Sequence, residues 1–189
     1  IISNNYLFFR KFEKNLLVII IMLTKKVEKV LNEQIEIEAN SSQFYLAMAS
    51  WAETQGLEGV ASFFYNHSDE EREHMLKLIK YVNERGGHAI VPPLTKPPKL
   101  FDCLSHVFQD LLNHEIMVTE KINNVVDICL KDKDYTTHNF MQWYVAEQIE
   151  EEALARHILD KLKLIGDDKG GLYLFDRDIV SMHPNSEKK

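Results

Sequence analysis

The placement of helix breakers constrains this chain more than any other feature. Gly and Pro are scarce, 7 and 5 of 189 residues, and they gather at a few points. Between those points apolar residues recur every three or four positions, which lines one stripe of an α-helix. The pattern predicts four long helices, over about residues 24–53, 57–85, 101–130 and 135–165. Gln55, Gly56 and Gly59 separate the first two, and Gly86–Gly87 close the second as a C-terminal cap would. A short turn, KDKDY, separates the third and fourth, and Gly166 ends the fourth. A short apolar piece at 172–182, after Gly170–Gly171, is expected to form a fifth helix, with an unstructured tail at 183–189.

The connections then set the topology. Two of them are short turns, so helices one and two, and helices three and four, are antiparallel hairpins. The connection between the hairpins, HAIVPPLTKPPKL, carries four prolines and is not a helix. Its roughly 14 residues reach about 45 Å when extended, the length of a helix of about 30 residues. It therefore returns the chain to the opposite end of the bundle, and helices two and three run parallel. The expected fold is all-α: a four-helix bundle with one long crossover and a short fifth C-terminal helix, the bundle spanning 22–166 and the remainder 167–189.

Each predicted core stripe is mainly apolar or aromatic and contains one glutamate: Glu38, Glu71, Glu115 and Glu151, with no Lys or Arg in any stripe. Counted from the nearest hairpin turn, these lie about 17, 16, 18 and 18 residues away, so they share a level within about 3 Å. Burying even one unpaired carboxylate costs several kcal/mol after relaxation, and four converging ones repel. Bound divalent cations remove that charge directly. Glu71 and His74 stand at i and i+3 on one face of helix two. Oxygen-rich ligation with one imidazole suits iron or manganese better than a closed thiolate zinc site.

Charge and cysteines exclude other classes. The net charge of -7 argues against nucleic acid, which demands clustered Lys and Arg. Cys103 and Cys129 would lie roughly 39 Å apart on one helix, so no internal disulfide is expected and a reducing cytoplasm fits. Residues 1–21 hold Arg10, Lys11 and Lys14 before an apolar run too short for a bilayer. Met22 opens an ordinary N-terminus, so residues 1–21 are expected to be a non-native or disordered extension, and no membrane partner is expected.

Four segments, LNEQIEIEANSSQFYLAM, HSDEEREHM, HEIMVTEKIN and NFMQWYVAEQIEEE, resemble the bacterial non-haem ferritins, in that family's order, over about residues 22–176. The resemblance implies iron storage, with ferroxidase activity oxidising Fe(II) by O2 or peroxide at a di-iron centre inside each subunit. It implies a homo-oligomer, a 24-subunit cytoplasmic shell holding ferric mineral. By the same resemblance Glu38, Glu71 and His74 form the first iron site, and Glu71, Glu115 and Glu151 the second, with Glu71 bridging. Gln148 is a near-ligand, and Glu70, Glu147, Glu150 and Glu151 form a third iron site. Tyr45 sits beside the centre. Bacterioferritins carry a second Glu-x-x-His where this chain has Glu151 to Leu154, and a haem-ligating Met where it has Arg72; no haem is expected. Other di-iron oxidases and oxygenases on the same bundle pair two such motifs, whereas one is present here. Asp134 and His138 stand where ferritins often line pores, but helix capping by Asp134 and an exposed His138 are the expected reading. His67 reads as a hydrogen-bonded core histidine and Trp143 as core packing.

Overall fold

The computed structural model describes residues 23–182; the expected N-terminal extension and C-terminal tail lie outside them. Five α-helices follow in order: α1 Lys25–Thr54, α2 Glu58–Glu84, α3 Leu104–Lys131, α4 Tyr135–Ile165 and α5 Lys169–Ile179, which runs into a 3-10 turn, Val180–Met182. There is no strand among the described residues, and none of these helices is long and apolar enough to cross a membrane.

The helix ends follow local chemistry. Thr24 and Asp134 cap α1 and α4 by accepting from Val27 N (3.2 Å) and Thr137 N (3.0 Å). Between α1 and α2 the chain reverses through Gly56 at φ 72°, a left-handed conformation that costs glycine little. Two expected boundaries shift. α3 begins at Leu104 rather than near 101, because Phe101 packs edge-on against Trp51 at 5.8 Å instead of entering the helix. α5 begins before Gly170–Gly171 rather than after them, because Asp168 accepts from Gly171 N at 2.6 Å and nucleates the turn around both glycines.

The crossover climbs α1 as expected. Glu28, Asn32 and Asn40 form a polar strip at helical spacing, and the loop backbone bonds to it in sequence. His88 N donates to Glu28 Oε1 (3.1 Å), Ile90 N to Asn32 Oδ1 (2.7 Å) and Thr95 N to Asn40 Oδ1 (2.7 Å). These side chains satisfy backbone donors that an irregular segment would otherwise leave to water. The loop thus travels with α1, and α3 starts at the end where α1 finishes.

α5 closes that same end. Asp176 Oδ1 accepts from Val60 N at 2.9 Å, supplying a cap for α2 that Leu57, an apolar N-cap residue, does not give. The approach is so close that a Cβ on Gly59 would stand 1.7 Å from the Asp176 carbonyl oxygen. Phe175 and Ile179 are buried there, Phe175 edge-on to Phe108 at 6.0 Å.

Packing divides the bundle interior into two apolar clusters. One, around Phe63, Phe64, Phe108 and Ile158, fills the α5 end. The other, around Leu31, Ile35, Leu78, Ile122 and Tyr144, fills the opposite end. Burying each of these large side chains contributes roughly 1.5–3 kcal/mol. On α2, Tyr81 is only half-buried, while Val82, one position on, is fully buried. The buried polar residues Glu38, Ser42, His67, Glu71, His74, Glu115, Gln148 and Glu151 fall in sequence between the two clusters on all four long helices. The bundle is held by apolar contacts at both ends and interrupted by one polar layer.

Candidate metal centre

Glu38 from α1 and Glu71 and His74 from α2 each turn a ligand atom into one space, and the three atoms lie within 4.8 Å of one another. The i, i+3 spacing of Glu71 and His74 does this within one helix: His74 Nδ1 is 3.5 Å from Glu71 Oε2. That Glu71 oxygen is buried and has no hydrogen-bond partner. A buried acceptor without a donor is costly, and a cation beside it removes the penalty.

Glu115 on α3 is 1 % exposed and is held from two sides. The Tyr45 hydroxyl donates to Oε1, and Gln148 Nε2 on α4 donates to Oε2 at 2.9 Å and to the Glu115 carbonyl at 3.2 Å. Glu151 on α4 is buried with its Oε2 3.3 Å from His67 Nε2. Glu38 Oε1 accepts from Gln34 Nε2 at 2.9 Å. The Tyr144 hydroxyl donates to the His74 carbonyl at 2.9 Å, tying α4 to α2 at the height of the histidine.

The electrostatics agree with the geometry. Burial, reinforced by the charge of Glu71, raises the Glu38 carboxyl well above the usual carboxylate range. Burial and then the charge of Glu115 do the same to Glu71. Glu115 is raised to about 7 by burial and by Glu151, against the opposing bonds from Tyr45 and Gln148. Without a cation, the layer is stable only as it takes up protons. Burial disfavours charge on the His67 ring, but Glu151, Glu70 and the Phe63 carbonyl together outweigh it and the pKa lies above the ordinary value. A donor set of carboxylates and one imidazole fits a hard divalent or trivalent metal such as iron.

The remaining predicted residues lie around this core. Glu70 and Glu147 are half-buried and Glu150 is exposed. Glu147 feels the charges of Glu150, Glu151 and Glu70, and burial with these charges raises its pKa. The acidic residues therefore continue outward from the buried layer. Trp143 stands edge-on to His74 at 5.1 Å, its face covered by Lys77 Nζ at 3.1 Å. Asp134 is used structurally: it caps α4 and pairs with Arg85 at 3.2 Å. His138 is exposed. Both cysteines are free, Cys103 exposed at the N-cap of α3 and Cys129 buried within it.

Sequence reasoning missed three supports. Gln34 precedes Glu38 by one turn, a spacing that hints at their bond. His114 gave no signal, yet it is mostly buried, 2.8 Å from Ser41 Oγ and edge-on to Tyr45 at 5.6 Å. Burial lowers its pKa to about 4. His67 was legible as a core histidine, but not its pairing with Glu151.

Fold and site together define a helical-bundle metalloprotein with a carboxylate–histidine cluster in its interior. Residues 28–165 match the Ferritin-like domain. The bacterial non-heme ferritin of Campylobacter jejuni is 44 % identical over 167 residues, 88 % of this chain and 100 % of that protein. That of Escherichia coli O6:H1 is 37 % identical over 161 residues, 85 % of this chain and 98 % of that protein. Among solved structures, an open pore ferritin from the archaeon Archaeoglobus fulgidus superposes with a TM-score of 0.83. It is 38 % identical and covers 84 % of this chain and 97 % of its own. The chain belongs to the ferritin family, whose work is the storage and oxidation of iron.

Proposed function

We propose that the chain is a ferroxidase subunit of a bacterial non-haem ferritin type that oxidises Fe(II) at an intrasubunit di-iron centre and stores the ferric product. Glu38, Glu71 and His74 hold one iron. Glu71 bridges to a second, held with Glu115 and Glu151, and Gln148 restrains Glu115 beside it. Two Fe(II) each give one electron to O2, which with two protons leaves as hydrogen peroxide; peroxide itself serves as an alternative oxidant. Tyr45 lies against the second position through Glu115. The outer group, Glu70, Glu147 and Glu150 with Glu151, is a third iron site beside the pair. Subunits close into a 24-subunit shell in the cytoplasm, and Fe(III) hydrolyses to an oxyhydroxide mineral inside it.

The observation that carries this reading is the Glu38–Glu71–His74 cluster, set in a layer whose other carboxylates are buried, with no buried Lys or Arg among the described residues. Hard anionic ligands favour Fe(III) over Fe(II), which is the direction of the reaction. The test is Fe(II) addition in air to the purified protein after gel filtration. A rapid oxidation burst from an assembly near half a megadalton is expected. A small species that oxidises Fe(II) would instead mark a di-iron oxygenase on the same bundle, and the absence of a burst would refute the reading.

A further inference from the structure

We propose that His67 is a positioning residue that holds Glu151 for the second metal position, so that the two metal positions have separable supports. The inference rests on the site reading above, but its evidence is distinct. His67 is 2 % exposed and lies outside the Glu38–Glu71–His74 cluster. Its ring is fixed on both sides. Nδ1 is 3.1 Å from the Phe63 carbonyl, one turn earlier on α2. A carbonyl only accepts, so Nδ1 carries hydrogen and donates to it. That orientation turns Nε2 toward α4, where Glu151 Oε2 lies 3.3 Å away.

The ring has little freedom to leave this pose. It packs over Phe63 with centroids 4.1 Å apart and meets Tyr45 edge-on at 6.0 Å. Tyr45 in turn holds Glu115. Tyr45 and Gln148 thus donate to Glu115, while the His67 ring faces Glu151. The first position has different supports: Gln34 on Glu38 and the helical spacing of Glu71 and His74. Groups that orient a ligand typically change metal affinity roughly 10–100-fold when removed. For His67 that loss falls on one of the two positions.

The test is anaerobic titration with Co(II), followed by its visible absorption and by calorimetry, on wild type, His67→Phe and His67→Gln. Phe keeps the ring and its packing and removes the nitrogen facing Glu151. Gln restores a polar side chain facing Glu151. The expected result is two tight Co(II) per subunit in wild type. In His67→Phe one stays tight and the other weakens at least roughly tenfold; in His67→Gln much of that loss is recovered. Two unchanged tight ions in His67→Phe, or parallel weakening of both, would overturn the inference while leaving the site reading intact. Fewer than two ions in wild type would overturn both.

Discussion

The Tyr45 hydroxyl on α1 donates to the Glu115 carboxylate on α3, across 70 positions of sequence. The bond joins the apolar cluster at the α5 end, to which Tyr45 belongs, to the polar layer. It also opposes the effect of burial on Glu115, since donation to the ionised carboxylate favours that form.

Tyr45→Phe is accordingly expected to push the Glu115 carboxyl above its value of about 7 and weaken its hold on metal. Fe(II) oxidation monitored by stopped-flow absorption should slow by roughly tenfold. The buried Glu115 oxygen left without its donor should lower stability by about 1–3 kcal/mol, read from chemical denaturation. An unchanged rate would deny the bond a part in the chemistry.

The architecture was legible because its determinants are local and periodic. The absence of breakers gave four helices, loop length gave the crossover, and one glutamate per stripe gave the polar layer. Less of the centre's support was legible. The bonds of Tyr45 to Glu115, Gln148 to Glu115 and His67 to Glu151 cross between helices, and helical period says which face a residue occupies but not which partner it meets. His114 was invisible for the same reason: a histidine that makes one bond to Ser41 leaves no pattern in the chain. Both shifted helix boundaries came from single contacts, Phe101 on Trp51 and Asp168 on Gly171.

Stability of the metal-free protein should depend on pH in a particular sense. Glu115 keeps its proton to about pH 7 when folded, against a reference value of 4.5. The folded state therefore binds more protons between these values, and stability present below about pH 4.5 is lost as pH rises through 7. His114 acts oppositely: with a folded value of about 4 against 6.5, its contribution is full above about pH 6.5 and is lost as pH falls through 4. The two oppose each other at intermediate pH, and above about 6.5 only the carboxylate slope remains. Thermal midpoints of metal-free protein are expected to fall from about pH 6.5 to 8. Saturating Co(II) should remove or reverse the fall. A midpoint that rises over that range without metal would contradict the account.

Gly59→Ala should displace α5, because the added methyl would meet the Asp176 carbonyl oxygen at 1.7 Å. Backbone cannot yield as a flexible side chain does, so a loss of about 1–3 kcal/mol is expected from denaturant unfolding. Asp176→Ala removes the cap on Val60 N without overlap and should cost less, about 0.5–2 kcal/mol. Both variants should retain Fe(II) binding, since neither residue touches the polar layer. Equal stability of Gly59→Ala and wild type would show that α5 does not hold this position.

The central claim is that Glu71 joins two metal positions in one buried layer, and anaerobic Fe(II) titration of wild type and Glu71→Ala tests it most directly. Two tight Fe(II) per subunit are expected in wild type, and loss of the pair in the variant. The same tight stoichiometry in both proteins would contradict it.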